Sequence, residues 1–151
     1  MRIMRNPYIN AAIVSVISLI YAVTFILTSN HFEFDKMLNH EETLNSAFWN
    51  GWSAFLRQGN LKYIGYVYIL TFIFIIILSI LRKRNYDEYQ VGILTTSFVS
   101  AGFLLLFLFP VALLLVLSDP NYAIETILFL IITHWSVFLI ADLIYAVKWV
   151  K

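Results

Sequence analysis

Residues 91–117 read VGILTTSFVSAGFLLLFLFPVALLLVL, 27 positions without a charged side chain. A helix rises 1.5 Å per residue, so about 20 apolar residues cross roughly 30 Å of hydrocarbon. This stretch therefore has length to spare, and must tilt, bend or extend past the bilayer. Pro110 supplies a cause for a bend, because its ring removes one backbone hydrogen bond and crowds the preceding turn.

Three further stretches meet the same requirement: 8–28, 61–81 and 122–147. Lys62, at one edge, is the only Lys or Arg in them. The whole chain agrees. It is 61% hydrophobic and 13% charged over 151 residues, with a mean hydropathy of +0.81. Soluble domains carry about twice that charged fraction. Lipid must be the solvent for much of the surface, and residues 1–151 read as a single membrane domain. A net charge of +1 excludes the concentrated basic face of a nucleic-acid binder. The absence of cysteine excludes disulfides, Cys-ligated metal and thiol catalysis. Arg2 and Arg5 precede the first apolar run as in a signal peptide, but its length of 21 residues and the lack of an A-x-A-like cleavage site point to a retained span.

Basic residues orient the spans. Arg2, Arg5, Arg82, Lys83, Arg84, Lys148 and Lys151 fall on one side of a four-span chain; Lys36, Arg57 and Lys62 fall on the other, among Glu33, Asp35, Glu41, Glu42 and Asp119. The expected location is the cytoplasmic membrane, with both termini cytoplasmic. Tyr63, Tyr66, Tyr68 and Tyr122 read as one interfacial belt, and Tyr86, Tyr89, Tyr145 and Trp149 as the other. The connections 82–90 and 118–121 are short, with Asp119 and Pro120 suited to start the last helix. The expected fold is an all-α integral membrane protein, an antiparallel bundle of four transmembrane helices in which span two returns beside span three.

Segment 29–60 is the long connection. Its first part is polar and acidic. Residues 43–57 place Leu44, Phe48, Trp52 and Phe55 on an apolar arc flanked by Ala47, Trp49 and Leu56, with Asn45, Ser46, Asn50, Ser53 and Arg57 on the rest. That pattern predicts a short amphipathic extracytoplasmic helix, its aromatic residues anchoring it at the membrane interface.

Few residues suggest chemistry. His31, Glu33, Asp35 and His40 offer imidazole and carboxylate ligands for a divalent cation. The first three would share one face if extended. The plainer alternative is a solvated acidic loop tied down by Phe32 and Phe34. His134 lies near the middle of span four, where a polar group is costly, so it faces the bundle, either as a relay or ligand or as a fastener to Thr24, Ser15, Thr71 or Ser100. Asp142 lies inside the other end of that span; pairing with Arg82, Lys83 or Arg84 is the simplest expectation, and a polar path with His134 the alternative. Glu125 sits in the first turn, where the helix dipole favours a carboxylate. Gly92, Thr96 and Ser100 form one stripe of small residues, and Ala11, Ser15, Ser18 and Ala22 another; both suit close packing, within the bundle or in a homo-oligomer. Phe72–Ile77, bulky and apolar, is expected to face lipid.

No catalytic motif and no cofactor signature is visible. A non-enzymatic accessory or interaction protein, partnered by lipid and by a membrane protein or its own copies, is the first expectation. An oligomeric transporter or channel using His134 and Asp142, with Asn10 and the Ser/Thr stripes lining the route, is the second. An extracytoplasmic metal- or ligand-binding protein using His31, Glu33, Asp35 and His40 is the third.

Overall fold

The computed structural model describes residues 5–40, 43–82 and 85–148. These residues are helical, with no strand among them: α1 Pro7–Ser29, α2 Phe32–Leu38, α3 Ala47–Arg57, α4 Leu61–Leu81, α5 Glu88–Ser118 and α6 Ala123–Lys148. A 3₁₀ turn, Pro120–Tyr122, leads into α6. Four helices are long and apolar enough to cross a membrane: α1, α4, α5, and α6 with its leading turn.

Local chemistry sets the ends. Asn6 accepts from the Tyr8 N–H at 2.9 Å, and Pro7 occupies the first position of α1. A reciprocal cap starts α5: Asp87 Oδ1 accepts from the Gln90 N–H at 2.7 Å, while Gln90 Oε1 accepts from the Asp87 N–H at 3.2 Å. That cap moves the start of α5 back to Glu88, giving a helix of 31 residues that continues through Pro110. Asp119 accepts from the Asn121 N–H and opens the turn before α6.

The closest pairing is α1 with α4. Ala11, Ser18 and Ala22 are buried on α1, and Gly65 of α4 lies against the Ala22 backbone. Small side chains let two helices approach until backbone meets backbone. Helix α6 touches every other span. It lies along α4 and α5 and reaches α1 through Trp135, whose indole N–H donates to Ser18 Oγ at 3.2 Å. Rings continue the seam: Phe98 stacks on Phe138 at 3.9 Å between centroids, Phe138 on Trp135 at 4.9 Å, and Trp135 meets Tyr21 at 5.4 Å.

The sequence expectation put span two beside span three. Instead α4 lies along α1 and α6, and α5 along α6. The cause is in the connection between them. The Tyr86 N–H donates to the Arg5 carbonyl at 2.8 Å, and Arg5 pairs with Glu88, so the chain crosses the start of α1 before α5 begins. A second difference concerns Phe72–Ile77. Ile73, Phe74 and Ile77 do face outward, but Ile75 is only 1% exposed and belongs to the core. One helical face cannot carry six consecutive residues.

Candidate functional site

The densest polar cluster lies where α2 and α3 cross the first turn of α6. Glu125 is fully buried (0% exposed). Its Oε1 accepts from His40 Nε2 at 2.8 Å and from Ser53 Oγ at 2.9 Å. Its backbone oxygen accepts from the Trp52 indole N–H at 3.0 Å. Its Oε2 has no hydrogen-bond partner among the described residues. Arg57 Nε and Nη2 donate to Ser53 Oγ at 3.2 and 3.1 Å. Tyr122 sets its ring edge-on to His40 at 4.6 Å and donates from its hydroxyl to Asn50 Oδ1 at 2.9 Å. Thr43 donates to Asp119 at the margin. Leu38 and Leu56 are buried beneath this layer.

Helix α3 explains the geometry. It starts at Ala47, four residues later than the amphipathic pattern suggested, because Ser46 caps it by accepting from the Trp49 N–H at 3.5 Å. Its buried residues are Ser53 and Leu56. At about 100° per residue the inward face is turned away from the centre of the aromatic arc. Phe48 is left exposed, edge-on to Trp49 and Phe129 at 5.2 and 5.4 Å. Trp52 stacks on Phe55 at 5.4 Å. Trp49 roofs an apolar crevice of about 110 Å³ between α5 and α6, walled by Leu108, Val111, Leu115 and Phe129.

The four proposed metal ligands are not gathered. His31 precedes α2 as its extended N-cap residue, and Glu33 and Asp35 lie on the helix itself. Helical winding sends residues two apart to nearly opposite sides, where an extended strand would align them. Glu33 pairs with Lys36 at 3.2 Å, and with His31 it lines a shallow cavity of about 400 Å³. His40 is at Glu125. Among the described residues no three His, Asp or Glu are grouped to hold a metal ion. Glu41 and Glu42 lie outside the described residues. Nor do His40, Glu125 and Ser53 form a nucleophile relay: the imidazole meets the carboxylate, not the serine, and Ser53 is fully buried.

Within the spans, polar groups connect helices. His134 Nδ1 donates to the Ala101 carbonyl of α5 at 3.1 Å. A carbonyl only accepts, so the ring carries hydrogen on that nitrogen. The expected side-chain partners of His134 are replaced by backbone, which α5 offers because Ala101 is small and buried. Tyr68 of α4 donates to the Ile132 carbonyl at 3.1 Å and meets Ser136 Oγ at 3.0 Å. The two small-residue stripes diverge. Ala11, Ser18 and Ala22 are buried, with Ser15 half-buried, whereas Gly92, Thr96 and Ser100 are exposed on α5. A methyl group added at Gly92 would meet nothing within 4 Å.

At the end away from α2 and α3, Asp142 accepts from Asn10 Nδ2 of α1 at 2.8 Å. Asn10 thus stands where Arg82, Lys83 or Arg84 was expected. Arg82 donates to Gln90 Oε1 at 2.6 Å and lies over the Tyr86 ring at 4.2 Å; Lys83 and Arg84 fall outside the described residues. Tyr86 packs on Tyr145 at 5.0 Å. Burial, with Asp142 nearby, pushes the Tyr86 phenol up to about 12, against the opposing pull of Arg82. Asp142 Oδ2 and the Tyr145 hydroxyl are buried without a hydrogen-bond partner among the described residues. No direct Asp142–His134 contact forms; each residue binds a different helix.

Comparison with protein families, curated proteins and solved structures finds no match to this chain.

Proposed function

We propose that this chain is a non-enzymatic accessory or interaction protein of the cytoplasmic membrane. In this reading it is an antiparallel four-helix bundle with cytoplasmic termini, and α2 and α3 lie on the extracytoplasmic side. The observation that carries it is the outward face of α5. That helix lies along α6, and Gly92, Thr96 and Ser100 stay exposed on it beside Phe103 and Phe107. In lipid, strips of small residues favour close helix association. The seam supports a partner helix, from another membrane protein or a second copy.

A second reading, an oligomeric transporter, has one observation in its favour: Asp142 Oδ2 and the Tyr145 hydroxyl are buried without partners at one end of the spans. Against it, His134 and Tyr68 are engaged between helices.

Purification in mild detergent, with mass spectrometry of what co-purifies, separates the readings. The chain has no native cysteine, so Thr96→Cys introduces a unique crosslinking site. A stoichiometric partner crosslinked through Thr96→Cys, but not through buried Ala11→Cys, supports the interaction reading. A partner-free chain that moves ions or solutes across vesicles, and loses that flux in Asp142→Asn, overturns it.

A further inference from the structure

Glu125 is a carboxylate removed wholly from water at the start of a span, and both donors to its Oε1 come from the α2–α3 segment. Nothing donates to Oε2 among the described residues. A buried carboxylate is strongly disfavoured unless a balancing charge stands beside it. His40 stands at 2.8 Å with its side chain 11% exposed, so it is shielded yet reachable by protons. An imidazolium there neutralises the buried charge. A neutral imidazole still donates through Nε2–H but leaves the buried charge offset only by Arg57, one hydrogen bond further off through Ser53.

We propose that the α2–α3 segment is a proton-linked cover: residues 43–57 close over the first turn of α6 when His40 is charged and loosen when it is neutral. Closure with a neutral imidazole takes up one proton from the medium on that side. By linkage, the closed state is favoured in acid and lost as pH rises. Histidine makes this charge change between about pH 5 and 8. No other charged group described at this layer bonds Glu125 directly. From α3, Arg57 reaches Ser53 Oγ, and so stands one hydrogen bond from Glu125 as a fixed cation at every pH. From the turn before α6, Asp119 is bound by Thr43 and the Asn121 N–H, and the Tyr122 hydroxyl by Asn50. From α2, Glu33 and Lys36 pair with each other on the exposed side. Glu41 and Glu42, next to His40 in the chain, lie outside the described residues.

Loosening would uncover Glu125, Thr126 and the crevice that Trp49 roofs between α5 and α6. The cover thus couples the pH of one compartment to the accessibility of α6.

The test is hydrogen–deuterium exchange on the full chain in lipid nanodiscs across that pH range, each rate divided by the intrinsic rate of unstructured peptide at the same pH. Protection of 47–57 should fall about tenfold or more from the acid to the alkaline end, one decade corresponding to each pH unit over which closure carries one proton, while α1 and α4 hold theirs. His40→Lys, charged throughout, should stay protected and flat. Glu125→Gln, with no charge to balance, should be flat as well. His40→Gln should be poorly protected at every pH; if that protein does not fold, the other two variants carry the test. Flat protection in the natural sequence overturns the proposal, and so does a slope that survives in His40→Lys or Glu125→Gln.

Discussion

Gly65 of α4 rides on the backbone of α1 at Ala22: a methyl group placed on Gly65 would stand 2.9 Å from the Ala22 carbonyl oxygen and 3.1 Å from Ile26 Cγ1. The nearest obstacle is backbone, which cannot rotate away. Gly65→Ala must push α1 and α4 apart, and overpacking of this kind costs about 1–3 kcal/mol. Gly92→Ala, in open surroundings, should be neutral or gain up to about 1 kcal/mol of helix propensity. Unfolding in detergent reports both; equal effects at the two glycines would refute the close α1–α4 contact.

Trp52 fastens α3 to α6 through its indole N–H on the Glu125 carbonyl. Trp52→Phe keeps most of the ring and removes the donor. The expected loss is about 0.5–1.5 kcal/mol, confined to the covering segment. Faster exchange in 47–57 with unchanged exchange in α1 is the predicted signature.

His134 donates across to α5. Side-chain hydrogen bonds between helices in lipid average about 0.6 kcal/mol, so His134→Ala should lower stability by about that amount. Equilibrium unfolding in mixed micelles measures it. A fold left intact with a vesicle flux abolished would instead move His134 into a transport role.

Asn10 and Asp142 make an unequal pair. Asn10→Leu strands a buried carboxylate that has already lost water, at a cost of about 1–3 kcal/mol or more. Asp142→Asn leaves an amide that still accepts from Asn10 and carries no charge. The asparagine variant of Asp142 should therefore be the more stable of the two, by melting temperature in one detergent. The reverse order would place the balancing interaction of Asp142 somewhere other than Asn10.

The four long helices were legible because the membrane demands them: runs such as 91–117 and 61–81 have no other stable form in hydrocarbon. Asp119 and Pro120 were legible as a helix start for a local reason, capping. What was hidden is tertiary. Glu125 looked like a dipole-favoured carboxylate, since nothing in its own turn shows that His40 and Ser53 arrive from 85 and 72 residues away. Asn10, short and uncharged in an apolar run, reads only as lining a transport route with Asp142, and its direct bond to that carboxylate was not legible. The small-residue periodicity of α1 and α5 is the same chemistry in both, and only the seat of each helix separates a buried seam from an exposed one. A lone carboxylate early in an apolar span and two histidines, His31 and His40, in the one long connection were the signals available for the Glu125 cluster.

Helix α6 follows α1, α4 and α5 in chain order, and this bears on how the chain is made. Until α6 has been synthesised, α1 and α4 can close on each other through Gly65 and Ala22, but α5 lacks the helix it lies along. Asn10, Ser18 and Tyr68 wait without their α6 partners, and the α2–α3 segment has no first turn to cross. Assembly is therefore a two-stage event for the translating ribosome and insertion machinery: a helical pair held early, then α6, whose arrival supplies these contacts at once. A quality-control system that surveys exposed polar groups in the bilayer would see these helices as unfinished until α6 is in place.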